Sequence, residues 1–361
     1  MTQKTLALVK QSAVQTALPK GLLDDLRQMI DQTRRSIAST VNTSLAMNYW
    51  RVGHRIRKEI LQDERAEYGR EIVVTLSRQL VVEYGNSFSE KSLRRMMQFA
   101  EVFPDEQIVV TLLRQLGWSH FIALIPIKDN IKRDFYAEMC RIEQWNVRTL
   151  RKKIDSMLFE RTALSRKPEL LARTELDALR KEDQLTPDLV FRDPYFLEFL
   201  NLNDRYVEKN IEDAIVRELE QFLLELGVGF CFVARQKCIT VDEEDFHIDL
   251  LFFHRRLKRL VAIELKLGDF KPEHKGQMEL YLRWLDKHER SPGEESPMGL
   301  ILCAGKKQER IELLELGRSG IHVAEYLLDL PPKEVLREKL IKAIQYAKQR
   351  LEYETAKENN E

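Results

Sequence analysis

The run DFHIDLLFFHRRLKRLVAIELKLGDF, residues 245–270, constrains this chain more than any other stretch. Two apolar, β-rich segments flank the basic turn Arg255–Lys258, so they pair as a hairpin or as near neighbours. Side chains alternate between the faces of a strand, so positions 260, 262, 264 and 266 share one face while Val261, Ile263 and Leu265 enter the opposite layer. Glu264 and Lys266 therefore project together. Asp249 likewise stands inside an apolar segment, between Ile248 and Leu250. These charges interrupt runs that want burial, and an isolated ionised group there costs several kcal/mol unless a counter-charge, a metal or water offsets it.

Around this run the chain changes character. From Gly21 to Ile60 apolar residues recur at helical spacing through Leu22, Leu26, Met29, Ile37, Val41, Leu45, Val52, Ile56 and Ile60, which predicts helix in one or two pieces. A second helix near 71–83 stops at Gly85, and Ser89 caps a third that ends before Pro104. Further helices are expected at 106–126, 130–141 and 146–161, with no alternation in this half. Residues 162–190 are highly charged and read as a partly helical connector. A helix at 206–226 then ends on Gly227, strands follow at 229–241, 246–254 and 259–266, a helix at 272–286, and short strands at 300–303 and 322–327. The order is αβββαβ. Leu336, Leu340, Ile344, Ala347 and Leu351 mark an amphipathic helix at 333–353 that packs on this domain or on a partner. The expected organisation is an all-α N-terminal domain (1–165), a connector (166–195) and an α/β domain (196–361) ending in that helix.

The chain has 58 Lys+Arg against 58 Asp+Glu, a net charge of zero, which gives no overall basic footprint for nucleic acid. The average hides a division. Residues 1–190 hold 31 basic against 25 acidic side chains and residues 191–361 hold 27 against 33; an acidic half could hold metal-binding carboxylates while the other supplies basic contacts, a chance imbalance being an equal reading. Four scattered cysteines, with no C-x-x-C pair, indicate neither a disulfide framework nor a zinc site. No apolar run reaches the roughly 18–20 residues of a membrane span, and residues 1–20 do not read as a secretory signal, so a cytoplasmic location with no membrane partner is expected.

A divalent cation would resolve the charges in the strands. Mg²⁺ prefers carboxylate oxygens plus retained waters, which Asp249, Glu264 and the backbone carbonyl of Leu265 can supply, with Mn²⁺ as a substitute, and a lysine beside them can orient or activate an attacking water. The rival is a buried Asp–Lys–Glu salt-bridge network; the whole arrangement favours the metal.

Asp249, followed fifteen residues later by Glu264-Leu265-Lys266 on successive strands of an αβββαβ order, resembles the PD-(D/E)XK nuclease superfamily and, within it, the YhcG-type nucleases. In that pattern the proline before the aspartate is often absent, and here the position is Ile248. The resemblance implies a restriction-endonuclease-like fold with Asp249 and Glu264 as metal ligands and Lys266 as the catalytic lysine. It assigns Glu212, in IEDAIVRELEQFL, as a supporting acid, with Glu208, Glu218 and Glu220 as competitors for that place. Gln277 and Tyr281, four residues apart, resemble the Q-x-x-x-Y element of the RecB-like branch and would orient the lysine or a phosphate; as an ordinary amphipathic helix, Tyr281 and Trp284 would instead be core. Gln236, in VARQKCI, is a further candidate. The N-terminal half resembles the helical domain of YhcG-like proteins through Trp50-Arg-Val-Gly53, Tyr68-Gly69, Tyr84-Gly-Asn-Ser-Phe-Ser89, Gly117-Trp-Ser-His120 and Arg133-Asp-Phe-Tyr136.

That domain is expected to bind DNA or mediate assembly. A helix, the turn at 85–89 and a helix bearing Arg94, Arg95 and Gln98 are compatible with helix-turn-helix docking, a plain helical hairpin being an equal reading. The function expected is a Mg²⁺-dependent nuclease acting on DNA in preference to RNA, in DNA processing or defence, with homo-oligomerisation left open. The alternative is a nucleic-acid-binding or assembly protein whose nuclease fold is silent or complex-dependent, which the intact Asp249, Glu264 and Lys266 disfavour.

Overall fold

The computed structural model describes residues 22–60, 66–201 and 208–358. The N-terminal stretch 1–20, and Val207 in the helix expected at 206–226, lie outside the described residues. Contacts divide the chain into two compact units, the first ending at Trp118 and the second starting at Ser119.

In the first unit α1 (Leu22–Ile60) is one continuous helix. Helix α2 (Ala66–Tyr84) stops at Gly85, whose φ of 81° is open to glycine at no steric cost. A short 3₁₀ turn leads into α3 (Glu90–Val102). Ser89 does occupy the N-cap, but its hydroxyl meets Ser92 Oγ at 3.0 Å instead of a backbone N–H of the helix. Helices α1 and α3 pack backbone to backbone: a Cβ on Gly53 would lie 1.9 Å from the Met96 carbonyl oxygen. Ile56, Val73, Leu93 and Met96 fill the core there, with Tyr49 and Trp118 beside them. Arg94, a candidate groove contact, is held by Glu90 on its own helix at 2.7 Å. The helix expected at 106–126 is two, α4 (Glu106–Leu113) and α5 (Trp118–Leu124), separated by a stretch holding Gly117, a poor interior helix residue.

The second unit begins within α5 and continues with α6 (Asn130–Glu143), α7 (Val147–Asp155) and α8 (Leu158–Arg161). Asp129 and Asn146 cap α6 and α7 by accepting backbone N–H bonds at 3.0 and 2.9 Å. The expected 146–161 helix is interrupted at Met157, which takes a left-handed φ of 52°. Helices α9 (Glu169–Glu182) and α10 (Pro187–Val190) follow, and the expected connector proves to be packed structure. Ala172, Leu176 and Leu179 form a buried stripe on α9, Arg180 pairs with Glu138 of α6 at 2.7 Å, and Leu189, Val190 and Phe191 are buried. A charged sequence concealed this because the buried stripe is narrow, while Leu170 and Leu171 of the same helix are exposed. By contacts the chain divides after Trp118, and residues 166–195 belong to the second unit.

Strand β1 (Tyr195–Phe196), α11 (Glu208–Arg217) and α12 (Leu219–Leu226) precede the hairpins β2 (Phe230–Val241), β3 (Glu244–His254) and β4 (Arg259–Asp269). The expected 206–226 helix breaks at Glu218, whose φ of −102° and ψ of 33° leave the helical range. Helix α13 (Pro272–His288), β5 (Met298–Gly305), α14 (Gln308–Leu313), β6 (Ile321–Leu327) and α15 (Lys333–Glu358) complete the chain. The sheet runs β1-β6-β5-β4-β3-β2, with β2, β3 and β4 antiparallel and β4, β5, β6 and β1 parallel. The αβββαβ order is present, extended by β6 and by two-residue β1. Leu251, Leu260, Ala262 and Ile301 on one sheet face pack against Met278, Tyr281, Leu282 and Leu285 of α13. Leu336 and Leu340 seat α15 against Met157 and Phe196, so its first turns pack on this unit. No helix among the described residues is long and apolar enough to cross a membrane.

Candidate active site

The β3–β4 ladder begins at Leu250↔Ile263, with Leu251↔Ala262 next. One step further, where the strands part, side chains replace backbone pairing. The Asp249 N–H donates to Glu264 Oε1 at 3.2 Å, the Leu265 N–H donates to Asp249 Oδ2 at 2.9 Å, and Lys266 Nζ donates to Glu264 Oε2 at 3.1 Å. Asp249, Glu264 and Lys266 are thus brought together as the strand periodicity requires.

Glu264 is 2% exposed. Burial first, and then the neighbouring Asp249, push its carboxyl up to about 7 against the pull of Lys266. Asp249 is also raised, chiefly by burial, with the Leu265 N–H and Lys266 opposing. Positive charge at the pair falls short of what the carboxylates need.

Strand β2 closes the sheet and delivers Gln236 with a left-handed φ of 46°, uncommon for a residue other than glycine. Its Nε2 donates to Glu212 Oε2 at 2.8 Å and to Asp249 Oδ1 at 3.1 Å. Glu212, buried on α11, accepts on its other oxygen from Arg235, which also bonds Asp213. Glu212 therefore reaches Asp249 through the Gln236 amide. Of the competing acids, Glu220 is exposed, Glu218 sits at the start of α12, and the side chain of Glu208 lies outside the described residues. Arg235 is the residue that sequence reasoning missed; its signal was a cation beside Gln236 in a strand.

Gln277 Nε2 donates to Tyr281 Oη at 2.7 Å, and Tyr281 Oη donates to the carbonyl oxygen of His247 at 3.1 Å. The pair braces α13 against β3 two residues from Asp249. Tyr281 is also core, at 1% exposure, and burial followed by the Glu264 charge pushes its phenol up to about 12.

Among the described residues no three His, Cys, Asp or Glu side chains converge as a metal cage. Asp249, Glu264 and the Leu265 carbonyl nevertheless fit a hard cation that keeps most of its waters. Their carboxyls, held up by burial and by neighbouring carboxylates, are the groups a cation would relieve.

Two family models match the chain: the DUF1016 N-terminal domain over residues 25–161 and the YhcG PDDEXK nuclease domain over residues 188–341. The chain is 33% identical over 358 residues, 91% of its length and 95% of the relative's, to the Escherichia coli (strain K12) protein named "Putative nuclease YhcG". A repair endonuclease crystal structure from Pyrococcus abyssi aligns with 36% of this chain and 50% of its own at 20% identity and a TM-score of 0.24, too slight a likeness to carry an argument.

Proposed function

Since the chain belongs to the YhcG family of PD-(D/E)XK nucleases, we propose that it hydrolyses phosphodiester bonds in DNA with Mg²⁺, or Mn²⁺ in its place. Asp249, Glu264 and the Leu265 carbonyl would hold the cation, with Glu212 supporting them through Gln236. A bound divalent cation supplies positive charge that polarises the scissile phosphate and steadies the leaving oxygen. Lys266, fixed beside Glu264, positions the attacking water or takes its proton. Gln277 and Tyr281 hold α13 and β3 in place around these groups. The N-terminal helices would bind DNA or mediate assembly.

The observation that carries this reading is the Asp249–Glu264–Lys266 cluster at the point where β3 and β4 part, a half-buried and a buried carboxyl with one ammonium. Purified protein is expected to nick or degrade DNA with Mg²⁺ or Mn²⁺ and to stop on chelation. Cleavage that persists unchanged in Asp249→Ala or Lys266→Ala would remove these residues from the site. An RNA strand cut in preference to DNA would reassign the substrate.

A further inference from the structure

A second feature lies at the same end of the sheet. Between β6, α15 and the segment after β5 is a cavity of about 360 Å³, within the range of small-ligand pockets. Arg166, Lys306, Lys339 and Lys342 line it, against the carboxylates of Asp193 and Glu325. Asp193 organises the floor: Lys306 bonds its Oδ2, Arg166 Nη2 lies 2.8 Å from the same oxygen, and its Oδ1 accepts the Glu325 N–H at 3.0 Å. Burial alone would raise the Asp193 carboxyl, yet Lys306 and Arg166 hold it well below the usual carboxylate range, and the lining's four cations outnumber its two carboxylates. Arg166 Nε is buried with no hydrogen-bond partner among the described residues.

The opposite wall is apolar. Leu336, Leu340, Ala343 and Ala347 of α15 supply it, and Tyr346 adds an aromatic ring that is 59% exposed. Lys342 and Tyr346 stand four residues apart on one helix face. Cations beside an aromatic and aliphatic wall are the combination that receives a phosphate and the base attached to it.

Its position relates it to the cleavage site. Lys266 pairs with Cys303, and Cys303 with Glu325, across the parallel strands. Two strand spacings are about 10 Å, or about three base steps of duplex. Both sites lie toward the C-terminal ends of parallel strands, where open α/β sheets present ligands.

Resting on the nuclease reading, we propose that this pocket takes one nucleotide of the substrate strand near the cleaved bond, phosphate toward Lys306 and Lys342 and base against Tyr346. It would set the position of the cut relative to a strand end or junction.

Full-length protein, kept free of divalent cation so that nothing is cut, is titrated with a short single strand, a nucleoside 5′-monophosphate and inorganic phosphate. Lys342→Glu and Tyr346→Ala, both at exposed helix positions, are each expected to weaken strand and monophosphate binding about tenfold, the loss of one stacked base or one phosphate contact. Inorganic phosphate should respond to Lys342→Glu alone. Wild-type affinity for strand and monophosphate in both variants overturns the proposal, as does a loss confined to inorganic phosphate. Cleavage with Mg²⁺ is measured alongside. Wild-type cleavage with insensitive binding fails the pocket and keeps the nuclease; sensitive binding without cleavage fails the nuclease and keeps the pocket.

Discussion

Two buried ionic clusters in the second unit resolve the same electrostatic problem to opposite ends. Glu225 on α12 is met by Arg161 at 2.5 Å, by Arg192 at 3.1 Å and by the Phe196 N–H at 3.0 Å, with the Arg161 guanidinium 3.7 Å above the Phe196 ring. Burial would raise its carboxyl, but the guanidiniums outweigh burial and hold it low. At the β3–β4 opening, burial and carboxylate repulsion win, and Asp249 and Glu264 stay high. Burial of charge is common to both, so burial marks neither. The sign of the imbalance that remains separates a cluster that closes the fold from one that a cation would relieve.

Neutralising one carboxyl in each cluster breaks or sharpens this contrast. Asp249→Asn keeps an acceptor for the Leu265 N–H, so cleavage should fall on the order of 10³-fold, about 4 kcal/mol in the barrier, with no loss of unfolding free energy. Equal destabilisation by Asp249→Asn and Glu225→Gln in denaturant titrations would dissolve the distinction. Glu225→Gln should cost roughly 3–4 kcal/mol of stability, because two buried guanidiniums lose their counter-charge.

His254 gives a control for burial without a charge partner. It is fully buried, its Nδ1 accepts the Leu257 N–H at 3.1 Å, and burial pushes its imidazole down to about 4 from an ordinary 6.5. The folded protein keeps it neutral while the unfolded chain takes up a proton below 6.5. Its contribution is therefore complete above that pH and is lost as pH falls from 6.5 to about 4, about 3 kcal/mol in all. His254→Asn keeps the acceptor and should flatten that part of the stability profile; an unchanged slope between pH 6.5 and 4 would contradict it. The smallest effect belongs to Gln236→Ala, which should weaken Mg²⁺ binding about tenfold, read from the midpoint of cation-dependent thermal stabilisation. An unaltered midpoint would make the amide bridge incidental.

The β3–β4 cluster was legible because a period of two and intervening charges suffice to place Asp249, Glu264 and Lys266. Gln236 was harder to read: its reach to Glu212 depends on a left-handed backbone at one position of an edge strand, which no hydrophobic pattern signals. The long helices were found, but the breaks at Met157 and Glu218 were not, since neither residue type interrupts helical spacing. The Arg161–Glu225 pair joins residues 64 apart, a tertiary contact that local periodicity does not encode. For the same reason α9 read as a connector although Leu176 and Leu179 tie it to the second unit.

Strand β2 has a further consequence. A twelve-residue strand at the border of a sheet is a ready template for a strand of another molecule, and Phe232 and Val233 are half exposed upon it. The register slips between Phe232 and Ala234, and the backbone inverts at Gln236. Both irregularities spoil the even row of donors and acceptors that an incoming chain would need. The residue that couples Glu212 to Asp249 thus also interrupts the border's hydrogen-bonding row, and a substitution that straightened β2 is expected to lower colloidal stability.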